Sequence, residues 1–312
     1  MQPIIAVLTS IRLAIHLVIR HAIRFAFRAT MVVAITTAAT AIAFAAPSSF
    51  QVDVTGKGTP MILIPGLASS GEVWDSTVKQ FCGASGKYEC HVLTLAGFAG
   101  VAPITTPLLA TAAKEIVEYM DTKKMVRPIV IGHSLGGFLA MQLAASHPDK
   151  FGRIIIVDSL PALGALQMPD ITPEQLKSMA GRMRDGMKKQ NAAQFAAGQR
   201  QSVSMMVTKP EDLERILGWG GKSDNTTVIN AMHDLFATDL RQDIARIQSP
   251  TLVLGSWFAY KDFTTRAAVE GNYRMQFQKL NGVTIELADT ARHFIMADDP
   301  KWMFERIEKF LQ

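Results

Sequence analysis

The sequence predicts an α/β fold, a doubly wound and mostly parallel sheet with an inserted helical cap. Three observations support this prediction. Short apolar strands alternate with helical segments along the chain. The strand at 129–131 ends in the turn 132–136, which places Ser134 at its apex. The stretch 160–247 contains no strand pattern and is rich in methionine.

The first 45 residues differ in composition from the rest of the chain. They contain four arginines, no acidic residue and an apolar segment that ends in Ala43-Phe44-Ala45. A basic start, an apolar core and an A-x-A ending are typical of a secretory signal peptide, so we expect a periplasmic or secreted protein. The alternative is an uncleaved amino-terminal membrane anchor, which would limit membrane contact to this segment.

Charge and cysteine content argue against nucleic-acid binding and against a metal or redox site. Removing the leader's four positive charges from the whole-chain +5 leaves +1, so nothing indicates nucleic-acid binding. Cys82 and Cys90 both follow the leader. In an exported protein such a close pair more often forms a disulfide than a metal or redox site. No zinc-type spacing and no dinucleotide or phosphate loop is present, so no metal or organic cofactor is expected.

The predicted strands lie at 50–55, 60–64, 91–95, 129–131, 153–157, 251–254 and 283–287. Gly56-Lys57-Gly58 predicts a hairpin between the first two. The later strands are apolar on both faces, as buried parallel strands are. Helices are expected near 72–81, from about 107 to 121, at 138–146 and from about 300 to 311.

We expect the sheet core to comprise 46–159 and 248–312, with the cap, 160–247, lying over the carboxyl edge of the sheet. Methionine is an adaptable side chain, so this cap would suit a substrate with an apolar, loosely specified acyl group. The alternative is that the methionines are ordinary core residues between cap helices.

The G-x-S-x-G spacing around Ser134 has a mechanical reason. Side chains two residues either side of so tight a turn would clash, which favours Gly132 and Gly136. The turn raises the hydroxyl above the sheet and directs the amides of the next helix at the group under attack. His133 would point away from the reacting face, so we interpret it as a packing residue.

A family resemblance rests on three segments: PGLASSGEVWD at 65–75, GHSLGG at 132–137 and RHFIMADDP at 292–300. In this order, each at the end of a predicted strand, they resemble the α/β-hydrolase superfamily over essentially the whole mature chain. The resemblance implies an esterase-like or lipase-like enzyme with Ser134 as nucleophile and His293 as its base. The backbone N–H groups of Leu67 and Leu135 would form the oxyanion hole.

The acid of the triad departs from the family pattern. Relatives commonly place it three residues after the glycine that closes the penultimate strand, where this chain has Phe258. Asp158 follows the strand 153–157, a position that some lipases of this fold use. Asp262 lies four residues beyond Phe258 on a loop. Both fit the chain order Ser, Asp, His; we favour Asp158 and keep Asp262 as the alternative.

These residues predict a serine hydrolase that cleaves small-molecule carboxylic esters through an acyl-serine intermediate. One alternative is an aminopeptidase of the proline-iminopeptidase kind, which would need a carboxylate such as Glu174 or Glu211 to hold the substrate amine. The other is a non-catalytic small-molecule-binding protein on the same fold, which the phenylalanine at position 258 would permit.

Overall fold

The computed structural model describes residues 48–84, 86–166, 168 and 170–312. The predicted leader at 1–45 lies outside these residues, so both the signal peptide and the anchor remain predictions. Within the described ranges, no helix combines the length and the apolar character that crossing a bilayer requires.

The described residues form one sheet of seven strands: β1 (Phe50–Gly56), β2 (Thr59–Ile64), β3 (Tyr88–Leu95), β4 (Ile129–His133), β5 (Arg153–Val157), β6 (Thr251–Ser256) and β7 (Thr284–Ala288). Their spatial order is β1-β3-β2-β4-β5-β6-β7. The pair β1–β3 is antiparallel, and the other five pairs are parallel. The predicted doubly wound, mostly parallel sheet is therefore confirmed.

The predicted hairpin between β1 and β2 is wrong. Both strands pair with β3, which lies between them. Gly56 and Gly58 have φ of +88° and +123°, and the connection crosses closely over the start of β3. A Cβ on Gly58 would lie 2.1 Å from the carbonyl oxygen of Lys87. The two glycines therefore serve a close crossing rather than a hairpin turn.

The α-helices in these ranges are α1 (Asp75–Cys82), α2 (Leu108–Thr122), α3 (Leu135–Ser146), α4 (Pro173–Lys188), α5 (Ala192–Ser204), α6 (Pro210–Gly221), α7 (Asn225–Ala237), α8 (Arg266–Gln276), α9 (Ile295–Asp298) and α10 (Pro300–Leu311). Helices α4 to α7 follow one another between β5 and β6 without a strand in the described residues, which confirms an inserted helical cap. Its boundaries at 160 and 247 remain a prediction.

The core lies on both faces of the sheet. In β2, Ile62 and Ile64 belong to one buried cluster, and Met61 and Leu63 belong to the other. Alternate residues of a strand point to opposite faces, so an apolar run of this kind marks a strand that is covered on both sides. Helix α3 is buried along almost its whole length. The helix that follows Ser134 is therefore held firmly against the sheet.

A disulfide joins Cys82, at the end of α1, to Cys90 in β3, with the two Cα atoms 5.9 Å apart. Both residues are buried. The bond closes a short loop between α1 and β3, so it constrains the connection that leads into the sheet.

Candidate active site

The carboxyl ends of four neighbouring strands carry strained backbone. Ala68, Ala99, Ser134 and Asp158 follow β2, β3, β4 and β5, and each has φ between 47° and 53°. This left-handed region is costly for a residue with a Cβ atom. Such strain persists only where the surrounding structure enforces it, and it clusters at functional sites. This edge of the sheet is therefore the candidate active site.

Ser134 stands on the turn between β4 and α3, with φ 53° and ψ −118°. A Cβ on Gly132 would lie 2.2 Å from the carbonyl oxygen of Gly136. A Cβ on Gly136 would lie 2.2 Å from the carbonyl oxygen of Ile64. Both distances are far below van der Waals contact, so each flanking position excludes a side chain, as the spacing predicts. The N–H of Ser134 donates to the carbonyl of Val157 at 2.9 Å, which fixes the turn to β5.

Asp158 and His293 form a hydrogen-bonded pair. The Nδ1–H of His293 donates to Oδ2 of Asp158 at 2.6 Å. The side chains are 22% and 10% exposed, so the pair is largely shielded from water while the imidazole remains accessible. A proton on Nδ1 leaves Nε2 unprotonated in the neutral ring, which is the tautomer that a general base requires.

The second oxygen of Asp158 has its own donors. Oδ1 accepts from the backbone N–H of Ser256 at 2.7 Å and from the hydroxyl of Tyr273 at 2.7 Å. Ser256 ends β6, and Tyr273 lies in α8. The carboxylate is thus held from three directions, and its charge is met by hydrogen-bond donors.

The alternative acid, Asp262, is not brought to His293. Its side chain is exposed on the loop after β6, and the described residues supply it with no hydrogen bond or ion pair. Phe258, at the position where relatives commonly have the acid, begins a short 3-10 turn and is partly exposed. Of the two aspartates, the structure places only Asp158 against the imidazole.

His133 is buried beneath His293. Its ring lies 4.6 Å from the His293 ring and 4.8 Å from that of Phe294, measured between centroids. Burial holds the pKa of His133 well below its usual value, and the neighbouring His293 lowers it further. The neutral ring donates from Nε2 to the carbonyl of His293 at 3.1 Å. His133 is thus a packing residue, and it also supports the loop that carries His293.

The loop after β2 closely approaches Ser134. A Cβ on Gly66 would lie 3.2 Å from Cβ of Ser134, so Leu67 follows a residue in contact with the nucleophile position. Within the described residues, no loop or side-chain hydrogen bond uses the N–H of Leu67. Leu135 is the first residue of α3, where the helix offers its N–H no carbonyl partner. The N–H groups of Leu67 and Leu135 therefore lack a hydrogen-bond partner in the described residues next to the Ser134 turn, in keeping with the predicted oxyanion hole.

In the part of the chain that the structure describes, no hydrogen bond joins the Ser134 hydroxyl to His293. His293 nevertheless contacts His133, the residue next to Ser134. Hydrogen bonds between catalytic groups are often long in an unliganded enzyme and shorten when substrate binds.

The cap contacts the segment that carries His293. The N–H of Phe294 donates to the carbonyl of Met206 at 3.1 Å, and Arg292 donates to the carbonyl of Ser204 at 2.8 Å. Asp298 accepts from the N–H and hydroxyl of Thr208 through Oδ1 and from the N–H of Arg292 through Oδ2. The connection between α5 and α6 therefore braces both sides of His293.

Sequence reasoning missed Tyr273, Ser256 and the Asp298 contacts. Ser256 acts through its backbone, so its side chain carries no signal. Tyr273 lies 115 residues from Asp158 and has no motif around it. In the sequence, Asp298 stands out only as part of the segment 292–300. Among the described residues, no group of histidine, cysteine or acidic side chains could hold a metal ion.

Comparison with known proteins agrees with this architecture. The sequence profile of the Alpha/beta hydrolase family matches residues 61–306. A pimeloyl-(acyl-carrier protein) methyl ester esterase from Aeromonas hydrophila is 28% identical over 211 residues, which cover 65% of this chain and 78% of that protein. The sn-1-specific diacylglycerol lipase ABHD11 of Danio rerio is 25% identical over 286 residues, which cover 86% and 84%.

A solved structure shows the same fold. The enol-lactonase from Burkholderia xenovorans LB400 superposes with a TM-score of 0.65 at 20% identity, over 84% of this chain and 96% of that one. The family profile spans most of the sheet, the strained turn at Ser134 and the segment that carries His293. The chain therefore belongs to the alpha/beta hydrolase family.

Proposed function

We propose that this protein is a serine hydrolase that cleaves carboxylic esters through an acyl-serine intermediate, with Ser134 as nucleophile, His293 as base and Asp158 as acid. The observation that carries the proposal is the 2.6 Å hydrogen bond from His293 to Asp158 beside the strained turn of Ser134. The names of the two relatives, a methyl ester esterase and a diacylglycerol lipase, support an ester substrate.

The chemistry proceeds in two halves. Ser134 Oγ attacks the ester carbonyl carbon while His293 Nε2 accepts the hydroxyl proton. The carbonyl oxygen becomes an oxyanion, which the N–H groups of Leu67 and Leu135 stabilise. The C–O bond then breaks, the alcohol leaves with the proton from His293, and Ser134 remains acylated.

Water completes the cycle. His293 takes a proton from water, the hydroxyl attacks the acyl carbon, and a second tetrahedral intermediate forms. Its collapse releases the carboxylic acid and returns the proton to Ser134. Asp158 keeps the imidazole in the correct tautomer and stabilises the imidazolium in both halves.

An apolar acyl group remains a proposal. Met187 and Met206 pack against the two large buried clusters, and Met179 packs against a smaller one within the cap. Met168 and Met205 are exposed, at 46% and 57%. Packing roles thus account for part of the methionine content, and the two exposed methionines leave the acyl-binding role open to test with esters of increasing chain length.

The peptidase alternative has no supporting observation. Glu174 and Glu211 are exposed in the first turns of α4 and α6. An acidic residue there is favourable because it lies near the unpaired N–H groups of the helix start. Stabilisation of the helix start therefore explains both carboxylates, and no substrate amine is needed to account for them.

Hydrolysis of a short p-nitrophenyl ester by purified protein tests the proposal. We expect turnover by the wild type and by Ser202→Ala, a control at an exposed serine of α5. Ser134→Ala should lose turnover by at least about 10³-fold. Equal turnover in wild type and Ser134→Ala would reject the proposal, and a wild-type rate no higher than that of the uncatalysed reaction would favour a non-catalytic binding protein. Faster turnover of aminoacyl-naphthylamides than of esters would favour the peptidase.

We also propose that the mature protein is periplasmic or secreted. The composition of residues 1–45 supports export, and a disulfide between Cys82 and Cys90 suits an oxidising compartment.

A further inference from the structure

We propose that Tyr273 is a positioning residue for the Asp158–His293 pair: its hydroxyl, by donating to Asp158, orients this carboxylate and sets how strongly it stabilises protonated His293. The proposal rests on the proposed function for its catalytic meaning. The effect that it predicts on the ionisation of His293 can be measured without an activity assay.

Three donors from three different parts of the fold converge on the carboxylate. His293 occupies Oδ2 at 2.6 Å, while the Tyr273 hydroxyl and the Ser256 N–H share Oδ1 at 2.7 Å each. With both oxygens engaged, the carboxylate cannot rotate without breaking hydrogen bonds. Removing the Tyr273 donor would leave Oδ1 with the Ser256 N–H alone among these donors.

The side chain of Tyr273 is buried, which keeps its hydroxyl next to Asp158. It is 6% exposed and belongs to the larger buried cluster. Gly255 provides the space for its ring, because a Cβ there would lie 2.6 Å from Cζ of Tyr273. The ring is therefore confined, and its hydroxyl is held against Asp158 rather than turned to solvent.

The hydroxyl remains a donor throughout the working pH range. Burial raises the pKa of Tyr273 well above its usual value, and the charge of Asp158 raises it further. A tyrosine that keeps its proton donates a hydrogen bond to the carboxylate wherever the carboxylate is charged. The second donor to Oδ1 comes from Ser256, the last residue of β6, two residues before the position at which relatives commonly have the acid.

The expected consequence has a definite sign. A hydrogen bond to a carboxylate disperses its charge and makes it a weaker partner for a cation. Without the Tyr273 donor, more negative charge faces His293, so the imidazolium is stabilised and the pKa of His293 rises. A larger fraction of the base is then protonated at a given pH, and the acid limb of the activity profile moves to higher pH.

An NMR titration of the His293 ring tests the proposal directly. The signal is assigned by its absence in His293→Gln, and its midpoint is compared in wild type and Tyr273→Phe. We expect the midpoint to rise by roughly 0.5 pH unit in Tyr273→Phe. Tyr273→Met, which fills the space without a hydroxyl, gives the same test if the phenylalanine variant is not recovered folded.

Tyr260→Phe is the matched control. The charge of Asp158 also raises the pKa of Tyr260, after the larger effect of burial, but no hydrogen bond between the two is found in the described residues. This variant should keep the wild-type midpoint. An unchanged His293 midpoint in folded Tyr273→Phe, or an equal shift in Tyr260→Phe, would overturn the proposal.

Activity measurements separate this proposal from the proposed function. We expect Tyr273→Phe to lower kcat/KM roughly 3- to 30-fold, with its acid limb moved in parallel with the NMR midpoint. A purely structural role would lower the melting temperature and move neither midpoint. If the NMR midpoint moves while Ser134→Ala retains full turnover, Tyr273 positions the pair as proposed and the serine mechanism is wrong.

Discussion

Nδ1 of His293 lies 2.6 Å from Oδ2 of Asp158, although 135 residues separate the two in the chain. Topology explains how an acid after β5 reaches a histidine after β7. Strands β5 and β6 are parallel neighbours, so their carboxyl ends lie side by side. An aspartate at the end of β5 is therefore only one strand away from the position that relatives commonly use.

Replacing Asp158 by asparagine should abolish most of the activity. We expect kcat to fall roughly 10³- to 10⁴-fold, because asparagine neither stabilises the imidazolium nor enforces the Nδ1–H tautomer. Steady-state ester hydrolysis measures the effect, and Asp262→Asn is the control. Near-normal activity in Asp158→Asn together with a large loss in Asp262→Asn would reverse the assignment.

Local sequence patterns predicted the parts of this site that depend on neighbouring residues. The turn at Ser134 is an example, because the two glycines that it requires lie within the same five-residue stretch, 132–136. Asp158 was favoured because it follows the strand 153–157, a position that some lipases of this fold use for the acid. The resemblance left Asp262 open, since loop conformation is not encoded in a short pattern. The structure distinguishes the two by placing only Asp158 against His293.

Strand pairing and contacts between residues far apart in the chain were harder to predict from the sequence. The connection from β1 to β2 passes the start of β3, which lies between the two strands, and its glycine-rich sequence suits this arrangement as well as a hairpin. Tyr273 lies on a helix whose sequence gives no reason to suspect contact with Asp158. Two of the contacts between the cap and the His293 segment use the backbone carbonyls of Met206 and Ser204, and the side-chain identity of those two residues carries no information about them.

The close backbone contact at the serine turn makes Gly132 intolerant of any side chain. A Cβ there would lie 2.2 Å from the carbonyl oxygen of Gly136, so Gly132→Ala should destabilise the protein by about 3 kcal/mol. Urea denaturation gives the free energy of unfolding. Gly198→Ala in α5 is the control, because its Cβ would meet nothing within 4 Å and alanine favours helix. Equal stability of the two variants would contradict the packing argument.

The brace between cap and His293 should affect turnover more than stability. Asp298→Ala removes the acceptor for Thr208 and for the N–H of Arg292, so the His293 segment loses part of its support. We expect kcat to fall roughly 10-fold with little change in KM. Asp121→Ala, which breaks an ion pair with Lys150 at the protein surface, should leave kcat unchanged. Unaltered turnover in Asp298→Ala would show that the brace is dispensable.

The buried His133 predicts a pH dependence of stability. Burial lowers its pKa in the folded state, whereas the unfolded chain binds a proton near pH 6.5. The unfolded state therefore gains protons first as the pH falls, so this contribution to stability is present above pH 6.5 and is lost below it. We expect a loss on the order of 1.4 kcal/mol per pH unit from this group below that pH.

Urea denaturation between about pH 7.5 and 5.5 measures this slope. His91, whose pKa burial also lowers, contributes with the same sign. His133→Gln should therefore flatten the slope without abolishing it. An identical slope in wild type and His133→Gln would mean that His133 is not held neutral in the folded protein.

Processing of the leader can be checked by mass. Expressed in a host that exports it, the full chain should yield a mature protein that begins at Ala46, after the A-x-A sequence. Intact-mass analysis of the periplasmic or culture fraction reads this directly. A product that retains residues 1–45 and sediments with membranes would support the anchor instead.

Mapping the site of covalent attack tests the central claim most directly. A fluorophosphonate reacts with an activated serine and remains attached, so peptide mass spectrometry identifies the modified residue. The account predicts a single adduct on Ser134, formed by the wild type, slowed strongly in His293→Gln and absent from Ser134→Ala. An adduct at another residue, or equal labelling of wild type and Ser134→Ala, would contradict it.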